Sequence, residues 1–239
     1  HGPFSHTIEN TLVRKIHQEE ISFMMMRKIN EEKNGKLDLA IKIFTDDYPK
    51  HFLHQLVSGQ LDMDRLDYLS RDSFFCGVSE GIIGASRIIK MLNIHDGKLV
   101  VEAKGIYSIE KFLVARRLMY WQVYLHKTSV AAEKMLNNIL QRAKELAASG
   151  VELFAPDALK YFLYNHITKN NFENSDEALE NYVSLDDSDF FSSLKIWAKH
   201  PDFVLSTLCN NFINRKLFKV EILTDLSYGK SRKEEWLEK

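Results

Sequence analysis

The chain of 239 residues has few of the residue types on which several classes of protein depend. Ten glycines and four prolines are too few for an all-β fold with many tight turns. The two cysteines, Cys76 and Cys209, cannot form a disulfide scaffold and lack Cys-x-x-Cys spacing, so we expect both to be reduced, buried and structural. Apolar runs such as residues 21–26 are far shorter than the roughly 18–20 residues that span a bilayer. No secretory signal is visible near the N-terminus, so we expect a cytoplasmic protein without a membrane partner.

A strong net charge is also lacking, and so are the glycine-rich loops that bind phosphate. The 32 lysines and arginines balance 33 aspartates and glutamates, so no global basic field favours nucleic acid as a partner. The chain contains neither a Gly-x-x-x-x-Gly-Lys loop nor a Gly-x-Gly-x-x-Gly turn. Any phosphate group must therefore be bound by side chains rather than by a glycine cradle.

Helical periodicity dominates what is present. Apolar spacing predicts a helix over residues 7–31 and a long one over 108–148, unbroken or broken once, with Gly150 after its last turn. The turn signal His95-Asp96-Gly97 predicts a small hairpin with strands over 88–93 and 99–101. Residues 218–223 alternate like a further short strand. Other helices are predicted over residues 37–44, 50–58, 63–72, 156–165, 176–183, 187–199 and 203–214.

These elements predict a mainly α fold, a helical bundle with a long central helix and a small β-hairpin. Neither repeats nor low-complexity linkers divide the chain. We expect residues 1–150 to form the core, and residues 151–239 to form a C-terminal helical extension packed on it, either in the same domain or as a small subdomain.

Three groups of residues have patterns that suit chemistry, and the first is at the N-terminus. His1, His6 and His17 cluster there with Glu9, and His6 and Glu9 share a face if the segment is helical. A carboxylate that accepts a hydrogen bond from an imidazole N–H fixes the tautomer of the ring and raises its basicity, as general acid–base catalysis requires. The alternative is that these are ordinary solvated helix residues.

The second group is the segment 60–72, which contains four aspartates among apolar positions. At about 100° per residue, Asp64, Tyr68, Arg71 and Asp72 fall within one arc of a helix. A carboxylate there suits a hard cation, and the arginine and tyrosine suit an anionic substrate. A solvated face with Asp–Arg ion pairs is the alternative.

The third group is a stripe of Arg116, Tyr120, Tyr124 and Lys127 on the long predicted helix. Cationic and phenolic side chains in one line suit phosphate oxygens together with a sugar or base ring. A buried aromatic spine with an arginine at its edge explains the same spacing equally well.

Together these segments resemble the HD superfamily of metal-dependent phosphohydrolases, and most closely its deoxynucleoside triphosphate triphosphohydrolase branch. Members of that branch carry His-Asp-x-Gly-His-Gly-Pro-Phe-Ser-His, and this chain begins His1-Gly2-Pro3-Phe4-Ser5-His6. The block Asp62-x-Asp64-Arg65-Leu66-Asp67-Tyr68-x-x-Arg71-Asp72 resembles the later family motif. The resemblance implies an HD-domain-like bundle that hydrolyses a nucleotide or related phosphate ester; the alternative is a nucleotide-binding regulatory module without turnover.

The resemblance also implies roles for individual residues. His1 and His6 match histidines that contact substrate phosphates, and Glu9 and His17 match a proton relay. Tyr120 departs from the pattern, because the nucleotide-hydrolysing relatives have histidine there. The remaining substrate-binding candidates are Arg65, Tyr68, Asp72, Arg116, Tyr124 and Lys127.

The divalent metal that the family binds, one of Mg, Mn, Fe, Ni or Zn, is held by an upstream histidine, a His-Asp pair and a late aspartate. Only the last of these four ligands, Asp64, has a counterpart here. We therefore expect the chain to begin inside the metal-binding motif of a longer protein, and to bind metal weakly by itself. The long helix and the resemblance together predict a homo-oligomer.

Overall fold

Helices make up most of the chain in the computed structural model, which describes residues 11–13 and 16–220. The predicted mainly α fold with a small hairpin is confirmed. Within the described residues the α-helices are α1 (Gln18–Glu32), α2 (Asp38–Phe44), α3 (His51–Val57), α4 (Met63–Cys76), α5 (Ala85–Met91), α6 (Ile106–Met119), α7 (Lys127–Ala148), α8 (Asp157–Tyr164), α9 (Lys169–Asn174), α10 (Asp176–Ser184), α11 (Asp187–Trp197) and α12 (Phe203–Ile213).

The hairpin joins β1 (Leu92–His95) to β2 (Lys98–Val101) as an antiparallel pair. Its turn residues Asp96 and Gly97 have φ of 49° and 74°, the left-handed conformation that a two-residue hairpin turn requires. The predicted turn is therefore confirmed. Of the first strand predicted over 88–93, residues 92–93 belong to β1, whereas residues 88–91 lie on α5, where the Ile88 side chain is buried in the core.

The long predicted helix over 108–148 is broken once. It begins as α6, continues through one π-helical turn (Tyr120–Tyr124), and leaves helical geometry at residues 125–126 before α7 begins. His126 caps α7, since its Nδ1 accepts a hydrogen bond from the Thr128 backbone N–H at 3.3 Å. The 22-residue α7 is the long central helix, and Gly150 follows it with φ of 86°.

Of the helix predicted over 7–31, the part from Gln18 onward forms α1; residues 11–12 are π-helical, and residues 7–10 and 14–15 lie outside the described residues. Leu12, Val13 and Ile16 are buried, and Val13 forms an isolated parallel bridge with Ile167. Val13 and Ile16 are not helical, so their apolar character reflects packing into the core rather than one face of a helix. Residues 218–220 of the predicted strand over 218–223 are irregular, and the rest of that strand lies outside the described residues.

Two clusters of buried side chains form the core. The larger joins α7 to α8 and to the last helices, and includes Met135, Phe162 and Trp197. The smaller joins α4, α5 and α6 through Leu69 and Phe112, together with other apolar side chains. The larger cluster has members on both sides of residue 150, and the predicted division of the chain at that position stays a prediction.

The two cysteines differ in their surroundings. Cys209 is buried, and burial raises the pKa of its thiol to about 12. Cys76 is exposed at the end of α4 beside exposed Phe74 and Phe75, so the expectation that it is buried is wrong. In the described part of the chain no helix has the length and apolar character needed to cross a membrane.

One ion pair ties α7 to the start of α12. The Arg142 guanidinium donates to both carboxylate oxygens of Asp202, at 3.2 and 2.6 Å. Asp202 also caps α12 by accepting a hydrogen bond from the Leu205 backbone N–H at 2.8 Å. Arg142 and that backbone bond together lower the pKa of Asp202 to about 2.

The ion pair and the helix cap of Asp202 can be separated by mutation. We expect Asp202→Ala, which removes both, to cost about 2–3 kcal/mol of unfolding free energy, and Asp202→Asn about 1 kcal/mol. Asparagine keeps the cap and loses only the charge. Since the pKa of Asp202 is lowered on folding, its contribution is present above about pH 4 and is lost as the pH falls toward 2.

Urea unfolding of both variants and the unchanged protein, at several pH values, measures these effects. The Asp202→Asn variant should lose less stability than the unchanged protein between pH 4 and 2. Equal losses for the alanine and asparagine variants would contradict a separate capping role.

Candidate active site

A cavity of about 410 Å³ lies where α4 meets α1, α2, α3 and α6. Its volume is within the range of pockets that bind small molecules. The residues that line it come from five helices, the residue after α3 and the π-helical turn: Glu19, Phe44, His54, Val57, Ser58, Asp62, Asp64, Arg65, Tyr68, Arg116 and Tyr120.

The start of α4 fixes the charged wall of this cavity. Asp62 is buried, only 4% exposed, and accepts a hydrogen bond from the Arg65 backbone N–H at 2.8 Å. Its second carboxylate oxygen forms an ion pair with the Arg65 guanidinium, which also donates to the Gly59 carbonyl. Asp62 and Arg65 thus satisfy each other, whereas Asp64 is exposed and has no ion-pair partner among the described residues.

Arg116 supplies a positive charge from α6. Its side chain is partly buried in the cavity wall, with the guanidinium carbon 5.9 Å from the centre of the Tyr120 ring. Within the described part of the chain it forms no ion pair with a carboxylate. Arg116 is therefore available to an anion in the cavity.

Three tyrosines connect α4 to the π-helical turn. The rings of Tyr68 and Tyr124 meet edge to face with centres 6.1 Å apart, and those of Tyr120 and Tyr124 do so at 5.2 Å. The Tyr124 hydroxyl donates to Asp72 Oδ2 at 2.6 Å. Burial and the Asp72 carboxylate raise the pKa of Tyr124, and burial raises the pKa of Tyr68, so both phenols keep their protons.

A larger cavity of about 740 Å³ lies between α1 and helices α9 and α10. Its lysines are already neutralised: Lys28 Nζ lies 3.3 Å from Asp176 and 2.8 Å from Glu180, and Lys169 forms an ion pair with Glu20. Because the lysines are paired and the remaining cation, Arg27, is exposed beside the Phe23 ring, the smaller cavity is the better candidate for an anionic ligand.

Comparison with known proteins supports the predicted fold and the family resemblance. A crystal structure of a phosphohydrolase from Bacteroides thetaiotaomicron matches the fold with a TM-score of 0.90 and 65% sequence identity, over 92% of this chain and 55% of that one. Residues 83–156 match the model of the HD associated region. These matches show that the chain is similar to HD-superfamily phosphohydrolases.

Other relatives have lower sequence identity to this chain. The uncharacterized protein YwfO of Bacillus subtilis is 32% identical over 92% of this chain and 50% of that protein. A deoxynucleoside triphosphate triphosphohydrolase, the SAMHD1 homolog of Dictyostelium discoideum, is 25% identical over 65% of this chain and 34% of its own length. The chain thus spans about half the length of the first of these relatives.

The residues to which the HD-superfamily resemblance assigns roles do not all line the cavity. Five line it: Asp64, Arg65, Tyr68, Arg116 and Tyr120. Asp72 and Tyr124 are hydrogen-bonded to each other and are not among the lining residues. Arg71 forms an ion pair with Asp67, which is the predicted alternative of Asp–Arg pairing on a solvated face.

The single stripe predicted from Arg116 to Lys127 is interrupted. Arg116, Tyr120 and Tyr124 remain neighbours through ring contacts. Lys127 follows the break in the helix and is exposed away from the lining residues, because the π-helical turn and residues 125–126 disrupt the regular spacing. Its substrate role stays a prediction.

The N-terminal candidates are the least described. His1, His6 and Glu9 lie outside the described residues. His17 is exposed at the N-cap of α1, where its backbone N–H donates to Glu20 Oε2 at 3.0 Å, and its side chain does not line the cavity. The proton relay that the HD superfamily resemblance implies stays a prediction.

Among the described residues, no group of three or more His, Cys, Asp or Glu side chains is placed to hold a metal ion. Asp64 is the candidate ligand in the cavity, since Asp62 is used by Arg65. One carboxylate is too few for a divalent metal of the HD superfamily, so these residues by themselves do not fit the complete site.

Sequence reasoning missed five residues of the cavity wall. They occupy segments whose pattern is that of ordinary amphipathic helices, and only His54, a titratable side chain within the predicted helix 50–58, carried a usable signal. The residues are Glu19, Phe44, His54, Val57 and Ser58; a sixth lining residue, Asp62, lies within the predicted motif but has no role assigned from the sequence.

The Tyr124–Asp72 hydrogen bond yields a testable prediction. Tyr124→Phe removes the donor to a partly buried carboxylate, and we expect a loss of about 1–2 kcal/mol in unfolding free energy, measured by chemical denaturation. Tyr107→Phe is the matched control, since Tyr107 is 80% exposed and should be neutral. Equal stability of both variants would show that the bond contributes nothing.

Proposed function

We propose that this chain carries the substrate site of an HD-type phosphohydrolase acting on a nucleotide, in particular a deoxynucleoside triphosphate, or on a related phosphate ester. The observation that carries the proposal is the Arg116 guanidinium, which lines the cavity without a carboxylate partner among the described residues. A guanidinium binds phosphate oxygens through two parallel hydrogen bonds, and partial burial protects its charge from screening by salt.

The tyrosines of the cavity wall favour a substrate that has an organic group attached to its phosphate. Tyr68 and Tyr120 line the same cavity as Arg116, and their rings offer apolar surface to a ligand. The raised pKa of Tyr68 keeps its hydroxyl protonated. A sugar or base ring suits such a surface. The name of the Dictyostelium relative, a deoxynucleoside triphosphate triphosphohydrolase, supports the choice of nucleotide class.

In the proposed reaction water attacks phosphorus and a phosphorus–oxygen bond breaks. Arg116 stabilises the negative charge that develops on the phosphoryl oxygens, and Tyr68 donates a hydrogen bond from its neutral phenol. His6, or the pair of Glu9 and His17, manages the proton of the leaving group. Asp64 is the residue of this cavity that would contribute a ligand to a divalent metal, and the metal would activate the attacking water.

The proposal includes self-association and a cytoplasmic setting, as the sequence predicts. Exposed apolar side chains on α6 and its continuation, including Leu113, Val114 and Trp121, support self-association, because monomers seldom expose large apolar patches. The measurement is sedimentation velocity of the full-length protein.

The central prediction concerns Arg116. The full-length protein should release phosphate from one or more of a panel of nucleotides with Mn²⁺ or Mg²⁺, and Arg116→Gln should lower kcat/KM at least about 100-fold. Arg117→Gln is the matched control, because the neighbouring Arg117 lies 4.4 Å from the Trp121 ring centre, outside the cavity. The control should retain activity.

Asp64 is tested in the same assay. Asp64→Asn should abolish metal-dependent turnover, whereas Asp67→Asn, which alters an exposed carboxylate paired with Arg71 on the same helix, should not. Nucleotide binding without phosphate release in the unchanged protein would favour a regulatory module. Wild-type activity in the Asp64 variant would contradict the metal-dependent proposal.

A further inference from the structure

His54 is a cavity residue to which the proposed reaction assigns no role. It lies on α3, is partly buried, and lines the cavity together with Val57 and Ser58 at the end of the same helix. Its Nδ1 is 3.0 Å from the backbone carbonyl oxygen of Ile43 on α2. The ring therefore lies between a neighbouring helix and the ligand cavity.

That contact determines which ring nitrogen carries the proton. A carbonyl oxygen can only accept a hydrogen bond, so Nδ1 must be the donor to Ile43. In the neutral imidazole the other nitrogen, Nε2, is then an acceptor. Within the described residues Nε2 has no hydrogen-bond partner, so it can accept from a ligand.

The two sides of the cavity differ in charge. Helices α2 and α3 contribute Phe44, Val57 and His54, which carry no formal charge when the imidazole is neutral. The wall formed by α4 and α6 contributes Asp64, Arg65 and Arg116. A phosphate ester is bound best with its phosphate against the second wall, which places its organic part toward His54.

We propose that His54 is a specificity-determining residue, whose Nε2 accepts a hydrogen bond from a hydroxyl or amino group on the organic part of the substrate. The inference rests on the proposed function, because it needs a phosphate ester in this cavity. A site built to accept such a bond rejects an analogue without the donor, since the buried acceptor is then left unpaired.

Two variants separate this role from a purely structural one. In His54→Asn the amide nitrogen takes the place of Nδ1 and can still donate to Ile43, but no acceptor replaces Nε2. In His54→Gln the longer amide can present its oxygen where Nε2 lies, while the bond to Ile43 is lost. The asparagine variant therefore tests recognition, and the glutamine variant tests the contact between α2 and α3.

The experiment uses the full-length protein with Mn²⁺, the four deoxynucleoside triphosphates and inorganic tripolyphosphate, which lacks an organic part. For the nucleotide bound most tightly, His54→Asn should raise KM or Kd about five- to tenfold, with little change in kcat. Its Tm and its affinity for tripolyphosphate should be unchanged. His54→Gln should restore most of the nucleotide affinity and lower Tm.

The 2′,3′-dideoxy analogue of that nucleotide distinguishes the two donors. If the sugar hydroxyl is bound, the analogue binds more weakly to the unchanged protein, and His54→Asn weakens it no further. If a base amino group is bound, His54→Asn weakens the nucleotide and its analogue alike. Both results support the inference.

Three results would overturn it. Equal losses for nucleotide and tripolyphosphate that follow Tm in both variants would make His54 purely structural. If the unchanged protein binds the nucleotides no better than tripolyphosphate, it does not recognise the organic part of the substrate, and only the phosphate contact is supported. Failure of the unchanged protein to bind or hydrolyse any of these compounds would instead contradict the proposed function itself.

Discussion

The buried carboxylate of Asp62 determines where α4 begins, and with it the placement of every side chain that α4 contributes to the cavity. A charge that is only 4% exposed is tolerated only if it is paired and hydrogen-bonded, and Arg65 supplies both partners, one from its backbone and one from its guanidinium. With these two residues committed to each other, Asp64 is exposed two positions later. The local arrangement thus separates a structural aspartate from one that is free to bind a ligand.

Contacts between tyrosine side chains fix the position of the π-helical turn relative to α4. Tyr68 on α4 contacts Tyr124 on the turn, and Tyr124 is held by Asp72, also on α4. Two attachments, one by ring contact and one by hydrogen bond, therefore hold the turn against the helix that carries Asp64. Arg116, one helical turn before Tyr120, is positioned by the same contacts.

The sequence predicted the C-terminal helices well because their signals are local. Helices α8, α10, α11 and α12 lie within two residues of their predicted bounds, and Ser175, Asp186 and Asp202 cap the last three. The start of α1 could not be predicted in this way. Leu12, Val13 and Ile16 have the apolar spacing of a helix, but their burial depends on partners such as Ile167 that are distant in sequence.

The candidate site was predictable in part for the same reason. Asp64, Tyr68 and Arg116 belong to segments whose charged residues are unusual among apolar neighbours, and these residues do line one cavity. His54 gave a weaker signal, because its tautomer is set by the Ile43 carbonyl on another helix. Lys127 was placed on the stripe by a regular helical repeat that the π-helical turn does not follow.

The π-helical turn also makes the cavity wall adjustable independently of the core. A π-helical turn accommodates one residue more than an α-helical turn, so removing one residue between Tyr120 and Tyr124 would restore regular geometry locally. Because the π-helical turn absorbs the extra residue within itself, such a deletion would leave the helical faces before and after it nearly in register. The smaller core cluster lies before the turn and most of α7 lies after it. Evolution can therefore change which ring faces the ligand through the length of this turn, while the buried residues on either side stay the same.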